Sequence, residues 1–186
     1  MLPDGVLRTH IRRSGKTLAM PDYPRIALDI DGYVETVTTA ANEGSCFICS
    51  IVAGERDDHL VVFRDDACVA FLAKWPTLLG YTLVAPLEHR TDVVDGFTAD
   101  EYVELQRRVH RVGRAVSVAV PTERLYVLSL GSHQAVSHVH WHVAPLPPGL
   151  PYLEQQYHAL MHENGYLDIP DADLEVLAGK IRALLE

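Results

Sequence analysis

The chain has 186 residues, of which 48% are hydrophobic and 22% are charged, and its formal net charge at pH 7 is −9. This composition is typical of one soluble globular domain with extensions, and the negative charge argues against wrapping of a nucleic-acid polymer while leaving room for a small anionic ligand. Because no apolar run approaches the ~20 residues that cross a bilayer and the first residues lack a signal-peptide core, we expect a cytoplasmic protein with no membrane partner.

The first part of the chain, residues 1–45, shows weak hydrophobic periodicity and is predicted to be an irregular N-terminal extension. The pattern tightens from Cys46, where the predicted domain of residues 46–146 begins. Runs rich in β-branched and apolar residues indicate three strands, and Pro86 closes the last of them. These strands are predicted at residues 59–64, 67–72 and 81–86.

A long helix is predicted next. Thr98 and Glu101 have the spacing of a capping box, in which each side chain bonds the other residue's backbone amide. Apolar residues then recur at three- and four-residue steps, which predicts a helix of about five turns with one buried face. These residues are Tyr102, Leu105, Val109, Val112 and Val116. Two more strands are predicted at residues 124–130 and 135–144.

Residues 147–186 are predicted to be a helical C-terminal extension. One helix is expected from about residue 152 to residue 164 with Gly165 as its C-cap, and Asp171 is expected to cap a last helix. Strands in close succession followed by helices predict an α+β fold with an antiparallel sheet of about five strands and flanking helices.

Three histidines, His138, His140 and His142, alternate along the predicted strand 135–144. Residues two apart share one face of a strand, and each such step spans about 6.6 Å, so the outer two histidines stand about 13 Å apart. All three therefore cannot bind one metal ion without a sharp bend, and we expect them to have divided roles. The alternative, that they are polar surface residues, fits a lone histidine better than three on one face.

Cys46 and Cys49 form a CxxC motif, which has three interpretations. It can be half of a zinc site, a redox pair or two buried thiols. The odd count of three cysteines argues against a disulfide framework, and no βαβ pattern surrounds the motif. Zinc would require two further ligands, and the chain has no second CxxC.

The pattern from Gln134 through His138-Val-His140-Trp-His142, together with the upstream segment ending in Pro86-Leu-Glu-His89, resembles the histidine triad family of nucleotide-binding hydrolases and transferases. The resemblance covers roughly residues 46–145. It implies a HIT-like antiparallel sheet with flanking helices, usually as a homodimer with the long helix near the interface. It also implies a nucleotide ligand.

The resemblance implies that His140 attacks the α-phosphorus and forms a transient nucleotidyl-histidine, which water or another acceptor resolves. His142 would donate to the phosphate and Gln134 would orient it, while Gly131 and Ser132 either form an anion-binding nest or are simply a turn. The implied enzyme cleaves a dinucleoside polyphosphate or a nucleoside phosphoramidate. The alternative is a zinc-stabilised nucleotide-binding protein with little turnover.

Members of the family with an N-terminal CxxC complete a zinc site with two histidines. Carried onto this sequence, the resemblance implies a closed structural zinc held by Cys46, Cys49, His89 and His138. Rival residues for the fourth ligand are His133, His59 and His110. A catalytic zinc hydrolase is the remaining interpretation.

The sequence departs from the family pattern at several positions. Ala73 stands where many members carry Asp or Asn against the ribose hydroxyls, and Tyr81 stands where His is common. His133 replaces a glycine, and Leu146 replaces an arginine after the triad. None of these changes removes His140, but together they leave the choice of substrate open. The segment after residue 147 either packs as an ordinary helix or closes over the leaving group through Gln155, Gln156 and Tyr157.

Overall fold

The computed structural model describes residues 22–186, so the first 21 residues of the predicted N-terminal extension lie outside the described residues. Its strands are β1 (Arg25–Ile26), β2 (Val61–Arg64), β3 (Cys68–Leu72), β4 (Thr82–Pro86), β5 (Arg124–Ser129), β6 (Trp141–Leu146) and β7 (Tyr166–Leu167). Five of them form one antiparallel sheet in the order β2-β3-β4-β6-β5. The predicted α+β fold with a five-stranded antiparallel sheet is therefore confirmed.

The helices are α1 (Ile30–Asn42), α2 (Phe47–Ala53), α3 (Ala99–Ala119), α4 (Tyr157–Leu160) and α5 (Asp171–Ala183), with 3₁₀ turns at Tyr152–Glu154 and His162–Asn164. Helix α1 falls in the segment that was predicted to be irregular. The single helix predicted over 152–164 is wrong, because Gln156 has a left-handed backbone with φ 55° that an α-helix cannot contain. Asp171 begins α5 without capping it, since Pro170 occupies the cap position and no side chain caps the helix.

One face of the sheet is covered by α3 and α5. The predicted capping box of Thr98 and Glu101 is present at the start of α3, and its apolar stripe is buried against the sheet together with Leu177 and Ile181 of α5. A Cβ at Gly113 would lie 2.8 Å from Leu125 Cδ2, so this glycine lets α3 approach β5 closely. This face supplies most of the core.

The opposite face carries the CxxC motif and the candidate histidines, and it is only partly covered. Helix α2 buries Ile48 and Ile51 against Val69, Phe71 and Ala85. The amide of Cys49 donates to the Cys46 thiol, which caps the start of α2, and Gly54 ends the helix with φ 74°. The CxxC motif thus lies at the start of a helix anchored to the sheet.

Strands β1 and β7 meet beside the loop between β3 and β4. Strand β1 pairs with β7 in a separate two-stranded ribbon. The Arg25 guanidinium donates to the carbonyls of Gly165 and Thr77, and the Leu167 amide donates to the Pro76 carbonyl. Segments from before and after the five-stranded sheet in the sequence therefore hold this loop in place. Within residues 22–186, no helix is long and apolar enough to span a membrane.

The prediction that the histidine strand begins at residue 135 is wrong, because β6 begins at Trp141. The ladder between β4 and β6 ends at the pair Val84–Trp141, and Pro86 has no amide proton with which to extend it. The Val139 amide donates instead to the carbonyl of Arg90, at 2.7 Å. His138 and His140 therefore sit on irregular backbone before the strand, and only His142 lies within it.

Candidate active site and metal cluster

A cavity of about 770 Å³ opens on the sheet face opposite α3. Helix α1, the start of α2, the loop after β3 and the segment from residue 133 to residue 142 form its walls. Its lining includes His140, His142, Tyr81, Cys46 and His89. The volume lies within the range of small-molecule sites, about 300–1,000 Å³.

His140 is 6% exposed, and its orientation is fixed by the backbone. Its Nδ1 lies 2.7 Å from the carbonyl oxygen of His138. Because a carbonyl can only accept, Nδ1 carries the proton and Nε2 is left with its lone pair. Burial lowers the pKa of His140 below its ordinary value. The Ser129 hydroxyl donates to the His140 carbonyl at 2.8 Å and holds the main chain in place.

His142 is the neighbour of His140, and their ring centroids are 4.8 Å apart. Its Nδ1 lies 3.1 Å from the hydroxyl of Tyr81. Burial raises the pKa of Tyr81 to about 12, so the phenol keeps its proton and can donate it to Nδ1. When the phenol donates this bond, the proton of neutral His142 resides on Nε2, a buried atom for which no direct hydrogen-bond partner is found among the described residues. The Leu130 carbonyl also acts on the ring and partly offsets the effect of burial on its pKa. Burial lowers the pKa of His142 to about 3, so the ring is a neutral donor at pH 7.

The four predicted metal ligands come together beside the cavity. One ligand atom from each of Cys46, Cys49, His89 and His138 lies within 4.8 Å of the others. Nδ1 of His138 is 3.6 Å from Cys46 Sγ and 3.5 Å from Cys49 Sγ, and Nδ1 of His89 is 3.2 Å from Cys49 Sγ. A tetrahedral zinc ion with ordinary bond lengths puts its ligand atoms about 3.3 to 3.8 Å apart. These three separations match a metal ion of this type, and the remaining ligand atoms lie no more than 4.8 Å apart.

The second nitrogen of His138 is also held. Its Nε2 lies 3.0 Å from the Pro86 carbonyl, which fixes the tautomer and leaves Nδ1 as the ligand atom. The rival residues lie elsewhere. His59 bonds Asp58 at 2.9 Å, and His110 and His133 are exposed and outside the cluster.

His138 connects the Cys/His cluster to His140. Its ring belongs to the cluster and its carbonyl holds the His140 ring. His138 itself is fully buried, so neither group moves independently of the surrounding core. One residue thus contacts both groups: its ring belongs to the Cys/His cluster, and its carbonyl accepts from His140.

The structure does not bring every predicted site residue to the cavity. Gly131, Ser132 and Gln134 lie in an exposed loop and are absent from the cavity lining, although His133 and Ala135 from the same loop belong to it. The backbone amide of Gln134 donates to the Ser132 hydroxyl at 3.1 Å, a hydrogen bond that lies within the loop. The substrate-binding roles of these three residues stay predictions.

The C-terminal segment contributes a different residue from those expected. Gln155 and Gln156 do not line the cavity, and the Gln155 amide donates to the Leu150 carbonyl instead. The side chain of Tyr157 lies outside the described residues. His162 does line the cavity, and its Nε2 is 3.3 Å from the Trp75 carbonyl.

Two groups of cavity residues were missed from the sequence. The first is aromatic: Tyr33 of α1 packs against Trp75 and His162, with ring centroids 5.7 Å and 6.2 Å apart. The second is cationic and consists of Arg56 and Lys74. No local signal joins these residues, because they come from segments far apart in the chain. An N-terminal helix signal was available, since Asp29 caps α1 by accepting from the Gly32 amide.

Comparison with known proteins supplies the context for this geometry. A family model described as a HIT domain matches residues 54–148. An uncharacterised HIT-like protein of Saccharolobus solfataricus is 33% identical over 103 residues, which cover 54% of this chain and 73% of the relative. An adenosine 5′-monophosphoramidase of Schizosaccharomyces pombe is 33% identical over 107 residues, covering 55% of this chain and 75% of that enzyme.

Solved structures agree on the fold. A hypothetical histidine triad nucleotide-binding protein from Sulfolobus tokodaii superimposes with a TM-score of 0.61 at 26% identity, covering 75% of this chain and 91% of that one. A zinc-bound histidine triad family protein from Mycobacterium smegmatis gives a TM-score of 0.59 at 23% identity, covering 76% and 93% of the two chains.

Proposed function

The chain belongs to the HIT family, and from this premise we propose that it is a nucleotidyl hydrolase or transferase acting at the α-phosphorus of a nucleoside phosphate. The observation that carries the proposal is the pair His140 and His142 at the cavity, with Nδ1 of His140 tied to a backbone carbonyl. The proposed substrates are dinucleoside polyphosphates and nucleoside phosphoramidates. The name of the S. pombe relative supports the second class.

In the first step, the Nε2 lone pair of His140 forms a bond to the α-phosphorus. The bond from phosphorus to the leaving oxygen or nitrogen breaks with its electron pair, and the leaving group takes a proton from solvent. The Nδ1 proton stays on the ring, where its hydrogen bond to the His138 carbonyl stabilises the developing positive charge. The Nε2–H of His142 donates to a phosphate oxygen as negative charge builds there.

In the second step, water or another acceptor attacks the phosphorus of the nucleotidyl-histidine. The bond between phosphorus and Nε2 breaks, the lone pair returns to His140, and the proton of the attacking water passes to solvent. With water the product is a nucleoside monophosphate; with another acceptor the reaction is a transfer. The proposed roles of Gln134, Gly131 and Ser132 require their exposed loop to turn toward the cavity when nucleotide binds.

We also propose that Cys46, Cys49, His89 and His138 hold a structural zinc ion. The donor set of two thiolates and two imidazoles is one that zinc favours, and it offers four ligands, as a closed structural site does. When bound, the ion would supply a crosslink between the start of α2 and the segment before β6. The chemistry at phosphorus would still be performed by His140 and His142.

The decisive experiment is to trap the covalent adduct. Wild-type protein, His140→Ala and His110→Ala as a matched surface control are incubated with adenosine phosphoramidate and with a diadenosine polyphosphate. We expect AMP release and an adenylyl adduct on the peptide containing residue 140 in the wild type and the control, and neither in His140→Ala. Equal rates of AMP release in wild type and His140→Ala would reject the assigned nucleophile.

A zinc-stabilised nucleotide-binding protein with little turnover is the second candidate. It is favoured by the position of Gln134, which lies outside the cavity although it was predicted to orient the phosphate. The same experiment separates the two functions, since a binder would retain AMP in equilibrium dialysis without forming an adduct.

The oligomeric state and location are part of the proposal. Strand β5 is an edge of the sheet, and Val127 and Leu130 at this edge are 47% and 59% exposed. Because exposed apolar edges favour association, we propose a homodimer through β5 and the neighbouring α3. We also propose that the protein acts in the cytoplasm. Val127→Lys should then yield monomers by light scattering, and an unchanged mass would exclude this interface.

A further inference from the structure

We propose that the substrate carries a second phosphate group, distant from the reacting phosphorus, and that Arg56 and Lys74 bind it. This inference rests on the proposed function for the identity of the reacting end, and it adds a determinant of substrate choice. It is drawn from the cationic part of the cavity wall.

Arg56 and Lys74 line the same cavity as His140 and His142. The sheet register separates the two groups, because Phe71 on β3 lies opposite Leu83 on β4, and Leu83 lies opposite His142 on β6. Two strand spacings amount to about 10 Å, and Lys74 lies further along the chain, beyond the end of β3. The cations therefore face a different part of the ligand from the phosphate that contacts His140.

The cationic wall has an excess of positive charge. Asp58 lies between the two cations and accepts from Arg56 Nε and Nη2 at 2.9 Å and 2.8 Å and from Lys74 Nζ at 2.6 Å. One carboxylate thus serves two cations, and the group keeps a net charge of +1. Among the described residues, Asp29 is the only carboxylate that lines the cavity. Asp29 balances the remaining unit of charge over the cavity as a whole, so the attraction for an anion depends on the unused donor groups of Arg56 and Lys74.

Donor groups remain for a ligand on both cations. Arg56 uses Nε and Nη2 for Asp58, so its Nη1 protons face no acceptor within hydrogen-bond distance in the described part of the chain. Lys74 gives one proton to Asp58 and keeps two. Their side chains are 36% and 39% exposed, so they are accessible from the cavity.

Phosphate is the anion that this arrangement suits. An arginine fork and a lysine ammonium together match the several acceptor oxygens of a phosphate. Ala73, which lines the cavity beside Lys74, offers no side-chain acceptor for a neutral hydroxyl. The second phosphate is either on the sugar of the nucleotide or further along its phosphate chain, and both sources present the same chemistry.

The test compares binding of four inert ligands by calorimetry. AMP carries one phosphate; adenosine 2′,5′-bisphosphate and adenosine 3′,5′-bisphosphate carry a second on the sugar; a methylene-bridged adenosine 5′-diphosphate carries it on the chain. The proteins are the wild type, the double variant Arg56→Gln/Lys74→Gln, and Arg107→Gln as a control. Arg107 is a surface arginine of α3 that pairs with Glu104 and does not line the cavity.

We expect the wild type to bind at least one two-phosphate ligand roughly tenfold more tightly than AMP, a difference of about 1.4 kcal/mol. The advantage should vanish in the double variant and persist in Arg107→Gln, and the preferred ligand identifies the position of the second phosphate. Equal affinity for all four ligands, or a preference that survives in the double variant, would overturn the inference.

The outcome is distinguishable from failure of the proposed function. Adduct formation at His140 without any two-phosphate preference overturns this inference alone. A preference that depends on Arg56 and Lys74, without any adduct, overturns the proposed chemistry and leaves the second-phosphate site standing.

Discussion

Removing the hydroxyl of Tyr81 tests whether this residue sets the protonation of His142. In Tyr81→Phe the ring volume is kept, while the donor 3.1 Å from His142 Nδ1 is lost. Tyr81 is 9% exposed, so solvent does not readily replace the bond. An unpartnered buried acceptor costs about 1–3 kcal/mol, and the ring can relieve this cost by moving its proton from Nε2 to Nδ1.

This change of tautomer destabilises the transition state, because Nε2 of His142 then presents a lone pair to the phosphate instead of a proton. We expect kcat to fall about 5- to 150-fold, the rate equivalent of 1–3 kcal/mol, with a smaller change in KM. The assay is AMP release from adenosine phosphoramidate under saturating conditions. Imidazole ¹⁵N shifts of His142 should report the change of tautomer directly.

A matched control is available in Tyr126→Phe, which also removes one phenolic hydroxyl. That hydroxyl accepts from the Gln156 amide at 3.2 Å, and Tyr126 does not line the cavity. Both variants should lose similar stability, but only Tyr81→Phe should lose turnover. A kcat of Tyr81→Phe within twofold of the control, or an unchanged His142 tautomer, would refute the positioning role.

The remaining predictions concern pH, metal and the ends of the chain. The pKa of His142 is about 3 in the folded state and about 6.5 in the unfolded state. Between these two values the unfolded state binds more protons, so the free energy of unfolding falls as the pH drops below 6.5. The loss amounts to about 2 kcal/mol at pH 5. Urea titrations should show a correspondingly flatter pH profile in His142→Asn, and parallel profiles would exclude this source. Cys46→Ser should lower both zinc content and melting temperature, whereas Cys68→Ala should lower only the latter; full zinc content in Cys46→Ser would refute the cluster. A Cβ at Gly165 (φ 77°) would collide with the Ile26 carbonyl. Gly165→Ala should therefore destabilise the β1–β7 ribbon by about 1–3 kcal/mol and speed hydrogen exchange of its amides. Unchanged exchange would contradict the described contact.

Several elements could be predicted from the sequence because their determinants are local. The runs of β-branched and apolar residues that became β2, β3, β4 and β5 identify these strands locally, and the capping box of Thr98 and Glu101 specifies the start of α3 within four residues. The grouping of Cys46, Cys49, His89 and His138 was reached through resemblance to the family, since nothing in their spacing alone selects His89 over its rivals.

Other local patterns were insufficient. The apolar spacing after residue 152 indicated one helix, but the left-handed backbone at Gln156 divides it, and that conformation depends on what the segment packs against. Helix α1 has no fully buried residue. Its hydrophobic pattern was therefore too weak to detect, and its position over the cavity comes from contacts such as Tyr33 with Trp75.

The sequence by itself determined most of the strand runs, the periodicity of α3 and its capping box. The roles of the three histidines, including His140 as the proposed nucleophile, came from resemblance to the family and stay predictions. Only the tertiary structure decided that Pro86 ends the ladder before His140, that Tyr81 bonds His142, and that Arg56 meets Lys74 across Asp58. The physical reason is the distance along the chain over which each interaction acts. Backbone hydrogen bonding within a helix and helix capping involve residues only a few positions apart. The hydrogen-bonded state of a side chain in a cavity, by contrast, is set by groups that approach from distant segments as the sheet and its helices pack together.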